Sequence, residues 1–168
     1  MIVMMAGLPG TGKSTLARAL AARVNGAVLD KDEIRRTLFA PQDIEFSTEQ
    51  DDFCMEVMLE TAGYLLKRDS SRVVFLDGRP FSKRYQLERV IEYANGLGQP
   101  WRILECKCSE ETARRRIEEQ EHPAANRDFA LYLQVKGRFE EITFAKVVVN
   151  MERPLQDSVE DVLDRLSD

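Results

Sequence analysis

Apolar residues along the 168-residue chain fall into two alternating patterns. Short apolar runs occur at residues 2–5, 27–29, 72–76, 102–106 and 147–149. They lack clean apolar–polar alternation, as expected for strands covered on both faces. Between them lie stretches of helical period. Leu16, Leu20 and Val24 recur every four residues. A longer helix is predicted from Ser47, with Gln50 completing a capping box and Phe53, Val57 and Leu65 facing inward. Leu87, Val90, Ile91 and Ala94 mark another, ending near residues 96–98. Phe129, Tyr132 and Leu133 mark one more, and Leu155, Val159, Val162, Leu163 and Leu166 the last. Strands alternating with helices imply a parallel sheet with right-handed crossovers. All strand carboxyl ends then share one rim, where ligands bind, so residues just after each strand are the candidates for chemistry.

Behind the first strand stands Gly7-Leu8-Pro9-Gly10-Thr11-Gly12-Lys13-Ser14-Thr15, which satisfies G-x-x-x-x-G-K-[ST] in full. Glycines let the backbone curl with its N–H groups turned toward phosphate oxygens, and the loop feeds a helix N-terminus that favours anions. Lys13 is suited to the β- and γ-phosphates of ATP, and Ser14 to Mg²⁺. The second apolar run ends in Asp30-Lys31-Asp32-Glu33-Ile34-Arg35. Asp30 and Glu33 suit a capping box, and Asp30 is also a candidate acceptor contact. Asp32 then falls in a first helical turn on the phosphate rim, where a phosphoryl-transfer enzyme needs a carboxylate to orient the attacking hydroxyl. Arg35, three residues on, is suited to an anionic group of the acceptor. Read blandly, the same residues only cap a helix and pair on its surface. The third run ends in Asp77, a Walker-B-like acid for Ser14 or Mg²⁺. Arg79 and Lys83 follow as candidate acceptor contacts, with Ser82 as a helix cap.

Arg114, Arg115 and Arg116 are about 100° apart on a helix and cannot serve one site. Glu110–Arg114 and Glu111–Arg115 make i,i+4 pairs, which leaves Arg116. Pro123 breaks that helix before Arg127. Arg116 and Arg127 are therefore candidates to meet the transferring phosphoryl group, against the alternative of structural ion pairs, and His122 reads as an exposed residue between the helices.

Composition narrows the picture. The net charge of −5 argues against a broad nucleic-acid surface. The apolar start is too short to span a bilayer, so the expected location is the cytoplasm. Cys54, Cys106 and Cys108 lack the density of a disulfide framework and read as small hydrophobes of a reduced protein. No repeat or linker divides the chain, so one domain spanning 1–168 is expected.

These motifs together resemble the nucleoside-monophosphate-kinase-like group of P-loop kinases. GLPGTGKST and LDKDEIR look like polynucleotide 5′-kinases, adenylylsulfate kinases, gluconate kinases and chloramphenicol phosphotransferases. The resemblance implies a three-layer α/β fold with a five-stranded parallel sheet, order 2-3-1-4-5, and a small helical lid at about 114–128. It implies transfer of the ATP γ-phosphate to a hydroxyl, with ATP and Mg²⁺ as cofactors. It matches Asp32 to the acceptor-activating acid, Arg35 to an acceptor-phosphate ligand, and Arg116 to a lid arginine. Where polynucleotide kinases carry a second lid arginine, this chain has Gln120. The run Ser82-Lys83-Arg84-Tyr85 faintly echoes gluconate kinases, and the glycine run of shikimate kinases after strand three is missing. The expected acceptor is a small molecule. A polynucleotide 5′-hydroxyl and a nucleotide switch that phosphorylates nothing are the alternatives.

Overall fold

The computed structural model describes residues 1–119 and 128–167. Five strands form one sheet: β1 (Ile2–Ala6), β2 (Gly26–Asp30), β3 (Val73–Asp77), β4 (Trp101–Lys107) and β5 (Val147–Asn150). Their order is β2-β3-β1-β4-β5 and every neighbouring pair is parallel. The expected fold class is therefore observed. The helices are α1 (Lys13–Ala21), α2 (Lys31–Leu38), α3 (Thr48–Arg68), α4 (Arg84–Gly96), α5 (Glu110–Glu119), α6 (Phe129–Arg138) and α7 (Leu155–Ser167).

The period-two alternation of strand side chains divides the core into two layers. Ile2 and Met4 of β1, Val74 and Leu76 of β3, and Ile103 of β4 pack on Met58, Leu59 and Ala62 of α3 and Leu87, Val90 and Ala94 of α4. Val3, Met5, Phe75, Leu104 and Cys106 take the other face, against Leu16 and Leu20 of α1 and Val159 and Val162 of α7. β1 is buried throughout because both faces and both edges are covered. This fixes the strand that feeds the glycine loop at the centre of the molecule.

Each of the predicted strands ends one residue or more further on than its apolar run. Asp30 and Asp77 consequently close β2 and β3 as register partners inside the ladder. Two carboxylates lie side by side on the rim, and burial, then Asp77 and Asp32, push the Asp30 carboxyl above its ordinary range.

Several inward assignments differ. Phe53 is half exposed and packs edge-on against Phe39, with ring centroids 5.8 Å apart. The buried stripe of α3 is instead Cys54, Met58, Ala62 and Leu66, a run of i+4 steps that continues along the whole helix. Leu133 is likewise exposed. Ser47 caps α3 by accepting from the Gln50 amide at 3.2 Å. The Gln50 side chain does not close the box. It accepts from the Glu45 amide at 2.7 Å and donates to the Asp43 carbonyl at 2.9 Å, tying down the connection between α2 and α3.

Candidate active site

The glycine loop joins β1 to α1 at the carboxyl rim. Gly7 has φ 132°, and its amide donates to the Pro80 carbonyl at 3.0 Å. A Cβ there would lie 2.4 Å from the Cys106 carbonyl oxygen. Gly7→Ala is therefore expected to lower stability by about 1–3 kcal/mol, the usual size of such backbone strain. Urea denaturation checks this; an unchanged midpoint contradicts it. Helix α1 begins at Gly12 with no side-chain cap, so its first amides are left for an anion. The Lys13 ammonium donates to the Gly7 and Leu8 carbonyls at 2.9 and 2.8 Å. Thr11 closes the loop through its hydroxyl, 2.8 Å from the Leu8 carbonyl.

A cavity of about 490 Å³ opens over this loop. Lys13, Ser14 and Thr15 line one end, with Pro9, Gly10 and Gly12. Gly7, Leu8 and Thr11 shape the loop beneath. Asp30, Asp32, Arg35, Asp77 and Arg79 line the rest, as does Arg116. The fold thus gathers most of the predicted site residues. Arg127, with Gln120, His122 and Pro123, lies outside the described residues. Lys83 is placed elsewhere: it pairs with Glu140 at 3.0 Å, in a separate crevice. Nor is Ser82 the cap of α4. It is buried, its carbonyl accepts from the Glu140 amide at 2.9 Å, and the helix starts after Lys83.

Asp30 accepts from the amides of Asp32 (2.8 Å) and Glu33 (3.3 Å), the capping role expected of it. The cap sets the first turn of α2 and with it Asp32. Arg35 Nη1 donates to Asp32 Oδ1 at 2.9 Å, and Lys31 Nζ lies 3.3 Å from the same oxygen. Arg35 is 2% exposed, so this is an interior pair and not a surface one. Its second Nη belongs to Asp51 of α3, which also takes Lys31 Nζ at 2.7 Å. Burial pulls the Lys31 ammonium below its ordinary range although Asp32 opposes this. Arg79 is bonded to Asp52 at 2.6 Å and to the Tyr85 hydroxyl at 3.3 Å.

Asp77 is 1% exposed, and neither carboxylate oxygen has a hydrogen-bond partner among the described residues. A buried carboxylate in that state is one that a cation or ordered water completes. On the opposite side, Arg116 donates to the Thr11 carbonyl (3.4 Å) and the Met151 carbonyl (2.9 Å), which bridges the glycine loop to the turn after β5. The expected partner pairs along α5 are different: Glu110 pairs with Lys136 of α6 at 2.7 Å, and Arg114 stacks 4.0 Å over Phe129.

Lys31 of the LDKDEIR run also lines the cavity, and so do Phe46, Asp51 and Arg138, which no motif singles out. Asp51 reads as an ordinary acid of a first helical turn, and Phe46 stands just before a cap, where an apolar residue is unremarkable. Arg138 ends α6 as a basic residue of the last turn normally does. The three cysteines are free, and burial pushes the Cys106 thiol to about 12, which makes it an inert core residue.

Glycine loop, uncapped helix and rim acids define a P-loop nucleotide-binding protein of kinase fold. More particularly, the chain belongs to the AAA_33 family, described as an AAA domain, whose model matches residues 2–142. Among solved structures it is similar to the APS kinase of Mycobacterium tuberculosis in complex with AMPPNP and APS, with TM-score 0.76, 16% identity, and 99% of this chain and 97% of that one covered. A gluconokinase from Sinorhizobium meliloti gives TM-score 0.72, 19% identity and coverage of 99% and 90%. A sugar kinase from Janibacter sp. gives 0.73, 16%, and 99% and 94%. At these identities the likeness is one of fold. No curated protein matches the chain. No helix among the described residues is long and apolar enough to cross a membrane.

Proposed function

We propose that the protein transfers the γ-phosphate of ATP to a hydroxyl of a small acceptor, in the cytoplasm. The observation that carries this reading is the position of Asp32. Its carboxylate is fixed by Arg35 at 2.9 Å and Lys31 at 3.3 Å, in the same cavity as Lys13 and Ser14 of the glycine loop. A water-directed ATPase has no need of a walled pocket beside its carboxylate, whereas an acceptor kinase does.

The loop amides and Lys13 hold the phosphates and balance their charge. Asp32 orients the acceptor hydroxyl and takes its proton as the new O–P bond forms and the bond to the β-phosphate oxygen breaks, releasing ADP. Asp77, buried with neither oxygen partnered among the described residues, and Ser14 fit a Mg²⁺ ion held through hydroxyl, carboxylate and water, an arrangement Mg²⁺ favours. When bound, that ion supplies charge neutralisation between the phosphates. Arg116 holds the glycine loop and the turn after β5 in register and adds a cation beside the nucleotide end of the cavity.

The test is ADP release with Mg·ATP and a panel of sugars, sugar acids, nucleosides, antibiotics, adenylylsulfate and 5′-hydroxyl oligonucleotides. Release stimulated by one small acceptor supports the reading. Stimulation by oligonucleotides alone replaces it with a polynucleotide kinase, and release indifferent to every acceptor replaces it with an ATPase.

A further inference from the structure

On the phosphotransferase reading of the site, the wall opposite the glycine loop narrows the chemistry of the acceptor. Three interior cations face this wall and each is already engaged. Arg35 commits one Nη to Asp32 and the other to Asp51. Lys31 shares the same two carboxylates, at 3.3 and 2.7 Å. Arg79 is held by Asp52 at 2.6 Å. Seating an anionic acceptor on Arg35 means stripping a carboxylate from a buried guanidinium and leaving it uncompensated, which is strongly unfavourable, and an anion brought to Arg79 meets a guanidinium already neutralised by Asp52. Arg35 is thus a strut for Asp32, not a receptor for an acceptor phosphate. The other arginines on the cavity are engaged at the nucleotide end, like Arg116, or exposed, like Arg138 at the end of α6.

What this wall does offer is hydrogen-bond acceptors and an aromatic face. Asp32 and Asp51 both receive their cations on Oδ1. Their Oδ2 atoms carry no hydrogen bond from the described residues, and both side chains line the cavity. Beside them Phe46 is half exposed and lies over the Arg35 guanidinium, 5.4 Å from centroid to Cζ. It is held there by the connection that Gln50 ties down. Carboxylate oxygens accept from hydroxyl groups, and the negative face of an aromatic ring attracts the weakly positive C–H groups of a saturated ring.

We infer that the acceptor is a neutral, polyhydroxylated ring of carbohydrate type. It presents its reacting hydroxyl to Asp32 and a neighbouring hydroxyl to Asp51, with its C–H face on Phe46. Asp51 is the residue that sets this specificity.

The test uses neutral and anionic partners of one skeleton: ribose with ribose 5-phosphate, glucose with glucuronate, and adenosine with AMP. Calorimetry on the protein loaded with Mg·AMPPNP measures binding, and ADP release with Mg·ATP measures turnover. The neutral member is expected to have about tenfold or more the kcat/KM of its charged partner, as burial of an unmatched charge implies. Asp51→Asn is expected to raise the acceptor KM by about tenfold, the size of one lost hydrogen bond to a charged group, with the KM for ATP unchanged. Phe46→Ala, which touches no carboxylate, is expected to weaken the acceptor in the same way and guards against a folding defect in Asp51→Asn. Preference for the anionic members, an acceptor KM indifferent to both substitutions, or no neutral ring bound overturns the inference. A charged acceptor phosphorylated at Asp32 leaves the phosphotransferase reading standing and removes this inference alone. A neutral ring bound in an Asp51-dependent way, with no phosphate moved, does the reverse.

Discussion

Asp32→Asn is expected to lower acceptor-dependent phosphoryl transfer by about 10²–10⁴-fold, the range of a lost general base, with little change in ATP affinity. Asparagine keeps the size of the side chain and an oxygen that accepts from Arg35, so the 2.9 Å contact has a substitute. It cannot take the proton of the acceptor hydroxyl. It also removes one of the two negative charges shared by Arg35 and Lys31 and leaves Asp51 to balance both. The residual activity should therefore show an acceptor that is bound and badly oriented: kcat falls and the KM for ATP holds. Initial rates, together with calorimetry using Mg·AMPPNP, separate the two. Equal kcat in variant and wild type removes Asp32 from the mechanism.

Lys13→Ala is expected to lower kcat by about 10²–10³-fold, as loss of one preorganised donor to a developing oxyanion does. Nucleotide affinity should fall as well, by about 10-fold or more, the size of a lost charge-assisted hydrogen bond. Lys13 is buried and its ammonium sits over two loop carbonyls, 2.9 and 2.8 Å away. On the proposed reading it braces the loop as well as facing the phosphates, so its removal should harm both binding and chemistry. Lys13→Arg should not restore the activity, because a planar fork does not reproduce a compact ammonium at that position. Full activity in either variant contradicts the assignment. Kinetics at saturating ATP, with affinity measured separately, check both.

The nucleotide half of the site is legible in the sequence because it is local. Nine consecutive residues, 7–15, contain the loop, its lysine and its hydroxyl, and a buried strand precedes them as the pattern requires. Asp30, Asp32 and Asp77 are legible for a related reason: strand ends in a parallel sheet converge wherever they lie in the chain. The acceptor half is not. Asp51, Phe46 and Arg138 belong to helices or their flanks, and only the packing of α2 on α3, and of α6 beside the rim, brings them to Asp32. Arg35 shows the consequence. Its spacing from Asp32 is readable, but the second carboxylate that occupies it comes from 16 residues away. Phe53 is misplaced by periodicity because α3 carries more than one apolar stripe, and the period does not say which one meets the sheet. Lys83 is misplaced because its partner, Glu140, lies 57 residues further along.

The fate of the γ-phosphate separates transfer to an acceptor from hydrolysis. ATP labelled at that phosphorus is mixed in a single turnover with the protein, Mg²⁺ and the acceptor that best stimulates ADP release, and the label is followed. The label is expected to appear on an acceptor hydroxyl in step with ADP and to stay on ATP in Asp32→Asn. Label released as inorganic phosphate, at the same rate with and without acceptor and unchanged in Asp32→Asn, contradicts it.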